Sequence, residues 1–393
     1  MRIISSILTL MISFCLTWQC LAAPKQPEIK RLDGSTISSS EIERTITRLM
    51  NAARVTGLGV AIINDSKVVY VKSFGFRNKE EQKLLTEQTV MRGASFTKVV
   101  FTHLVMQLVE EGMIDLDKPV YQYLEKPLPE YEKYQDLSGD ERYKLMTARM
   151  LLNHTSGFPN SRWFNADEKL DIKFTPGSKY SYSGEGINLL QFVIEVMTGK
   201  SVAEMMRERI FKPFGMIRTS MTWEDRFGDD YAVGYDESEK PLGHKKQGSR
   251  AAGSMDTTIS DYARFTQAVM QGKGLKARTK KLMLTPQIQI LSKRQFPTPS
   301  TETTDENRKI QLSWGLGWGL FRTPVGRAYF HGGHDDGWEN YVVCFAGKGI
   351  GIVLITNSSN GESIFKELLE TLIKDKYSPW KWQNYIPYDA PPQ

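Results

Sequence analysis

Gly57-Leu58-Gly59-Val60-Ala61-Ile62-Ile63, Asn64-Asp65-Ser66 and Lys67-Val68-Val69-Tyr70-Val71-Lys72-Ser73-Phe74 follow one another directly. The outer runs are apolar and rich in β-branched residues, and the three residues between them are turn formers, so the stretch reads as an antiparallel hairpin. A second hairpin lies near the other end of the chain: Tyr341 to Ala346, then Gly347-Lys348-Gly349, then Ile350 to Thr356. Each hairpin is flanked by an amphipathic helix. One runs from Ser40 through Ala53, with Ile42, Ile46, Leu49 and Met50 at helical spacing. The other starts near Glu362 and gathers Ile364, Phe365, Leu368, Leu369, Leu372 and Ile373 on one face.

Between the hairpins, from about Ile114 to Tyr231, helical patterns alternate with loops. This order predicts an α/β fold in the broad α+β sense: an antiparallel β-sheet flanked by terminal helices, with a mostly helical domain inserted. The expected sheet subdomain covers about 40–113 and 232–376, and the helical one about 114–231. Asp236 to Arg250 and Gln295 to Arg308 read as exposed loops. The tail, 378–393, carries Trp380, Trp382, Tyr385 and Tyr388 among prolines and is expected to pack on the body.

The composition is that of an ordinary folded protein: 393 residues, 40% hydrophobic and 24% charged, which excludes wholesale disorder, collagen and coiled coil. The net charge of +6 comes from 51 basic and 45 acidic residues that are interspersed, and no nucleic-acid partner follows from it. Arg2, the apolar run Ile3 to Leu16 and Cys20-Leu21-Ala22-Ala23 form the pattern of a secretory signal, cut between Ala22 and Ala23. A lipid anchor on Cys20 is disfavoured because Thr17-Trp18-Gln19 lacks small residues, and an uncleaved anchor because the run barely spans a bilayer. The expectation is removal of 1–22, export of 23–393 to the periplasm or the medium, and no stable membrane span afterwards. That product would keep Cys344 alone, so it would have no internal disulfide and would rest on its core.

Ser95-Phe96-Thr97-Lys98 opens the most apolar helix of the chain, since Val99, Phe101, Leu104, Val105, Leu108 and Val109 leave almost no polar face before Glu110. A helix apolar all round is buried. Ser95 then sits at a helix N-terminus, where the macrodipole and free N–H groups favour developing negative charge. Lys98 shares its face, and burial lowers the pKa of an amine toward that of a usable base. A serine in reach of such an amine is an activated nucleophile. Ser-x-x-Lys alone is a common chance match, and two other segments add to it. Tyr182 lies in Pro176-Gly177-Ser178-Lys179-Tyr180-Ser181-Tyr182-Ser183-Gly184, a turn leading into the helix Ile187 to Met197. Phe330-His331-Gly332-Gly333-His334 precedes the C-terminal strands, its glycines allowing close approach to the backbone.

With these segments in order, the chain resembles the serine β-lactamase-related family of class C β-lactamases, low-molecular-weight penicillin-binding proteins, related esterases and D-amino-acid peptidases. The resemblance runs from about Ile42 to Ile373. It includes Ser95-x-x-Lys98, Leu151-Leu152-Asn153-His154-Thr155-Ser156-Gly157, Pro176-Gly177, Tyr182-Ser183, Trp314-Gly315-Leu316-Gly317-Trp318 and His331-Gly332-Gly333. It implies that Ser95 is acylated, that Lys98 and Tyr182 carry its proton, and that the N–H groups of Ser95 and His334 form the oxyanion hole. Gly184, His331, Gly332 and Gly333 would contact substrate. Two departures stand out: Gly184 replaces the usual Asn, and His331 replaces a frequent Lys. A neutral histidine at that place would offer a hydrogen bond and titrate near pH 6 to 7.

Other chemistries find less support. His331-x-x-His334-Asp335-Asp336 has ligand types for zinc, but His103, His154 and His244 complete no pattern, so no metal or cofactor is expected. His154-Thr155-Ser156-Gly157 reads as a hydrogen-bonded structural loop. No Gly-x-Ser-x-Gly elbow, Walker A loop or dinucleotide fingerprint is present. The expected activity is hydrolysis of an amide or ester carbonyl in a small molecule or peptide, with a cell-wall fragment among the candidates. A penicillin-binding or sensing protein that acylates without turnover is the alternative.

Overall fold

The computed structural model describes residues 28–243 and 248–391. The leader expected over 1–22 lies outside them, as does His244. No helix among the described residues is long and apolar enough to cross a membrane.

Helix α1, Ser39–Ala53, starts with a capping box in which Ser38 and Glu41 exchange hydrogen bonds, and it buries Ile42, Ile46, Leu49 and Met50. Strands β1, Gly57–Asn64, and β2, Lys67–Asn78, form the first hairpin. Asp65 and Ser66 at its tip both have positive φ, the geometry that matches the twist of a two-residue hairpin loop. β2 runs on to Asn78, beyond the expected Phe74, because a shift in register lets Phe76 and Asn78 pair with the short strand β3, Lys83–Leu84.

The other six strands of the sheet come from the C-terminal part: β4, Ile288–Gln289; β5, Ser313–Trp314; β6, Gly319–Thr323; β7, Gly326–Asp335; β8, Trp338–Phe345; and β9, Ile350–Thr356. The order is β4-β5-β6-β7-β8-β9-β1-β2-β3, antiparallel throughout. The two hairpins therefore meet at the β9–β1 pairing, and the termini close one sheet.

Strand alternation divides the core. Val60 and Ile62 point into one cluster with α1 and α5, Phe365–Leu372; Ala61 and Ile63 point into the other. The second cluster contains α2, Phe96–Glu110, with α3, Gly184–Thr198, and α4, Ile259–Gln271. Between 114 and 231 the described chain is α3, several short helices and loops, without a named strand. The aromatic tail packs on the first cluster, where Trp380 and Trp382 are buried and the Trp382 indole N–H donates to Ser292.

Candidate active site

Ser95 stands one residue before α2 with its side chain uncommitted to capping, so its N–H has no acceptor within the helix and its hydroxyl is free for other partners. The turn before it is tightly held. Ala94 adopts a left-handed φ of +46°, a costly state for a residue with a Cβ. Gly93 N–H donates to Met255 O at 2.8 Å, and Thr97 Oγ1 donates to Ala94 O at 2.6 Å. From β8, the Asn340 amide donates to Arg92 O and Gly93 O, which ties the turn to the sheet.

Lys98 lies one turn along α2, its side chain buried to 3% exposure. Its Nζ is 2.8 Å from Ser95 Oγ and 2.5 Å from Ala252 O. Burial, reinforced by the charge of Arg250, lowers the amine to about 7, so neutral and charged forms are both populated near neutrality. The Tyr182 phenol interacts with the Ser95 side chain, which offsets part of the effect of burial on it, and its ring centroid is 5.0 Å from Lys98 Nζ. Burial raises the phenol above its ordinary value. The structure thus brings together three polar groups that are 87 residues apart at the extremes (182 − 95).

Ser95 and Tyr182 open onto a cavity of about 580 Å³. Gly332 and His334 of β7 line it, together with Asn160, Phe164, Gln295, Phe296, Gln383 and Asn384. The 295–308 loop therefore contributes to the cleft, and the Asn384 amide fastens it by donating to Phe296 O. Five carboxylate residues also line the cavity: Glu237, Asp335, Asp336, Glu339 and Glu362. Asp335 pairs with Arg92 at 2.7 Å. His334 pairs with Glu339 across the β7–β8 ladder and faces Glu362. Desolvation at the wall opposes a charge on His334, but the two glutamates outweigh it and hold the imidazole up at about 10.

The remaining expected substrate contacts lie elsewhere. Gly184, His331 and Gly333 are not among the residues lining this cavity. His331 is buried, and its Nδ1 contacts Gly332 O. Burial, with Lys98 nearby, pushes its ring down to about 3, which corrects the expectation that it titrates near pH 6 to 7. Gly333 is a spacing residue. A Cβ there would come within 2.9 Å of Gly93 O, so its absence lets β7 approach the turn carrying Ser95. Gly333→Ala should lower turnover by more than about tenfold and destabilise by about 1–3 kcal/mol, as overpacking does; kinetics and thermal denaturation check both. Wild-type turnover in this variant would remove that role.

Sequence reading missed Asn160. A Cβ on Gly184 would lie 2.7 Å from Asn160 O, and the Gly184 N–H donates to Asn160 Oδ1 at 3.1 Å. Asn160 thus places a side-chain amide beside position 184 and on the cavity, with its NH₂ group not used in that bond. No local pattern links residues 160 and 184. His334, Glu339 and Glu362 have ligand atoms within 4.8 Å of one another and could hold a metal by residue type. Of the His331-x-x-His334 pair, only His334 belongs to this convergent group among the described residues.

The family model described as Beta-lactamase matches residues 42–372. The chain belongs to the beta-lactamase family. It is 24% identical over 339 residues to penicillin-binding protein 4 of Amycolatopsis lactamdurans, covering 81% of this chain and 85% of that one. With penicillin-binding protein 4* of Bacillus subtilis (strain 168) it shares 27% identity over 311 residues, 70% of this chain and 61% of the relative. Among solved structures, an octameric penicillin-binding protein homologue from Pyrococcus abyssi superposes with a TM-score of 0.66 at 24% identity, covering 82% and 74% of the two chains. This likeness establishes the fold. Family relatives at similar distance bear the names esterase, β-lactamase and D-aminopeptidase, so hydrolases are well represented among them.

Proposed function

We propose that this chain is a serine acyl-hydrolase. The single observation that carries the reading is a buried amine, Lys98 Nζ, 2.8 Å from a helix-terminal hydroxyl, Ser95 Oγ. In its neutral form Lys98, directly or with the Tyr182 phenol, takes the proton as Oγ bonds to the substrate carbonyl carbon. The N–H groups of Ser95 and His334 are the proposed donors to the resulting oxyanion. Collapse breaks the bond to the leaving alcohol or amine, which receives the proton, and leaves acyl-Ser95. Water then adds to the acyl carbon, giving up a proton to the same base, and the second collapse returns Ser95 and a carboxylic acid.

The wall bearing Glu237, Asp335, Asp336, Glu339 and Glu362 favours a neutral or amine-bearing substrate over one with a carboxylate beside the scissile bond, as in penicillins. Neutral esters and peptides with a free amino group are the substrates proposed. Intact-protein mass spectrometry during turnover of a neutral nitrophenyl ester should detect a transient acyl adduct on the peptide containing Ser95, and a fluorescent penicillin should leave little. A durable penicillin adduct would instead support a non-turnover binding protein. Ester hydrolysis with no adduct at Ser95 would refute the reading.

A further inference from the structure

Tyr182 is held from both sides by one residue that the proposed reaction does not use. The Ser181 N–H donates to His154 O at 2.8 Å, and the Ser183 N–H donates to His154 Nδ1 at 3.2 Å. The residues on either side of the tyrosine are therefore tied through their N–H groups to the same histidine. Its ring also backs the tyrosine ring, with centroids 4.3 Å apart and planes inclined by 43°. Trp314 braces the histidine ring in turn, at 5.2 Å and close to edge-on.

His154 is fully buried and has a φ of +58°. Among residues with a Cβ, that left-handed state is adopted mainly by Asn, Asp and His. Because Nδ1 accepts the Ser183 N–H, the ring proton resides on Nε2. Burial, and the positive charge of Lys98, keep the ring neutral, the form in which Nδ1 can accept. The loop His154-Thr155-Ser156-Gly157 is structural, as its sequence suggests, and what it structures is Tyr182.

We infer that His154 is a positioning residue: it holds the backbone N–H groups of Ser181 and Ser183, the two neighbours of Tyr182, and supports the tyrosine ring so that the phenol meets Ser95. The inference rests on the reading of Tyr182 as a proton carrier for Ser95. Two substitutions separate the acceptor from the ring. Asn places Oδ1 as many bonds from the backbone as Nδ1, accepts an N–H and tolerates left-handed φ. Phe keeps a ring and deletes the acceptor.

The test is steady-state hydrolysis of a neutral nitrophenyl ester by wild type, His154→Asn and His154→Phe, each repeated in a Tyr182→Phe background. His154→Phe should lower kcat by about 10- to 100-fold with KM within about twofold. His154→Asn should stay within about threefold of wild type. Without the phenol there is nothing to position, so in Tyr182→Phe the same His154→Phe change should alter kcat by less than about threefold. Three results would each overturn the inference: wild-type kcat in His154→Phe, an Asn variant as impaired as the Phe one, or an equal loss with and without the phenol. Should His154→Phe fail to fold, His154→Asn decides by the same threefold mark. Wild-type turnover by Ser95→Ala would refute the underlying reading of the site, a distinct result that removes this inference with it.

Discussion

Ser95→Ala is expected to lower kcat/KM for a neutral ester by at least about 10³-fold while leaving the thermal transition nearly in place. The two halves of this expectation have separate causes. Oγ is the proposed bond-forming atom, and what survives its removal is only whatever the donors and cavity do for a water attack. Stability should hold because Ser95 makes no capping hydrogen bond, and the turn around it is fixed by Gly93, Thr97 and Asn340. Kinetics and a melting curve on one preparation check both. Unchanged turnover would make the alignment of Ser95, Lys98 and Tyr182 incidental.

Lys98→Met is expected to move activity and stability in opposite directions. Activity should fall by about 10²- to 10⁴-fold, the range for loss of a general base. Stability should rise, for a reason set by protonation. The amine binds its proton at about 7 when folded and at its ordinary value of 10.5 when unfolded. Between those values the unfolded chain holds more protons, so this group's contribution falls as pH drops from 10.5 to 7 and stays low below that. At pH 7 and below the native state bears the whole penalty of the buried amine, on the order of a few kcal/mol, and methionine of similar length removes it. Denaturation at pH 6.5 should show a higher midpoint for the variant than for wild type. A variant that is both active and less stable would contradict the assigned role.

Legibility in the sequence followed the range of the interaction. The hairpins at Gly57–Asn64 and Ile350–Thr356 carry their own turn chemistry and apolar runs, so the sheet could be read from either end. Helix α2 was legible because its apolar residues surround it, and Ser95 and Lys98 are separated by less than one helical turn. Tyr182 became legible through motif order rather than through any local property. The cleft wall was not legible: Glu237, Glu339 and Glu362 approach one another only after the sheet closes, and nothing in their local sequence marks them. His331 was misjudged for the same reason, since its burial comes from tertiary packing beside Tyr182 and Trp314. Asn160 meets Gly184 across a loop contact that spacing does not encode.

The proposed reactivity of Ser95 depends above all on Lys98 being a base that exists in neutral form near pH 7. The pH dependence of the rate at which a neutral nitrophenyl ester acylates Ser95, followed by quenched-flow mass spectrometry, measures this directly. The rate should rise from acid pH with a midpoint near 7, the value to which burial lowers the amine, and level off above it. A rate that keeps climbing toward the ordinary lysine range, or one that is flat from pH 5 to 9, would show that Ser95 does not draw its reactivity from Lys98.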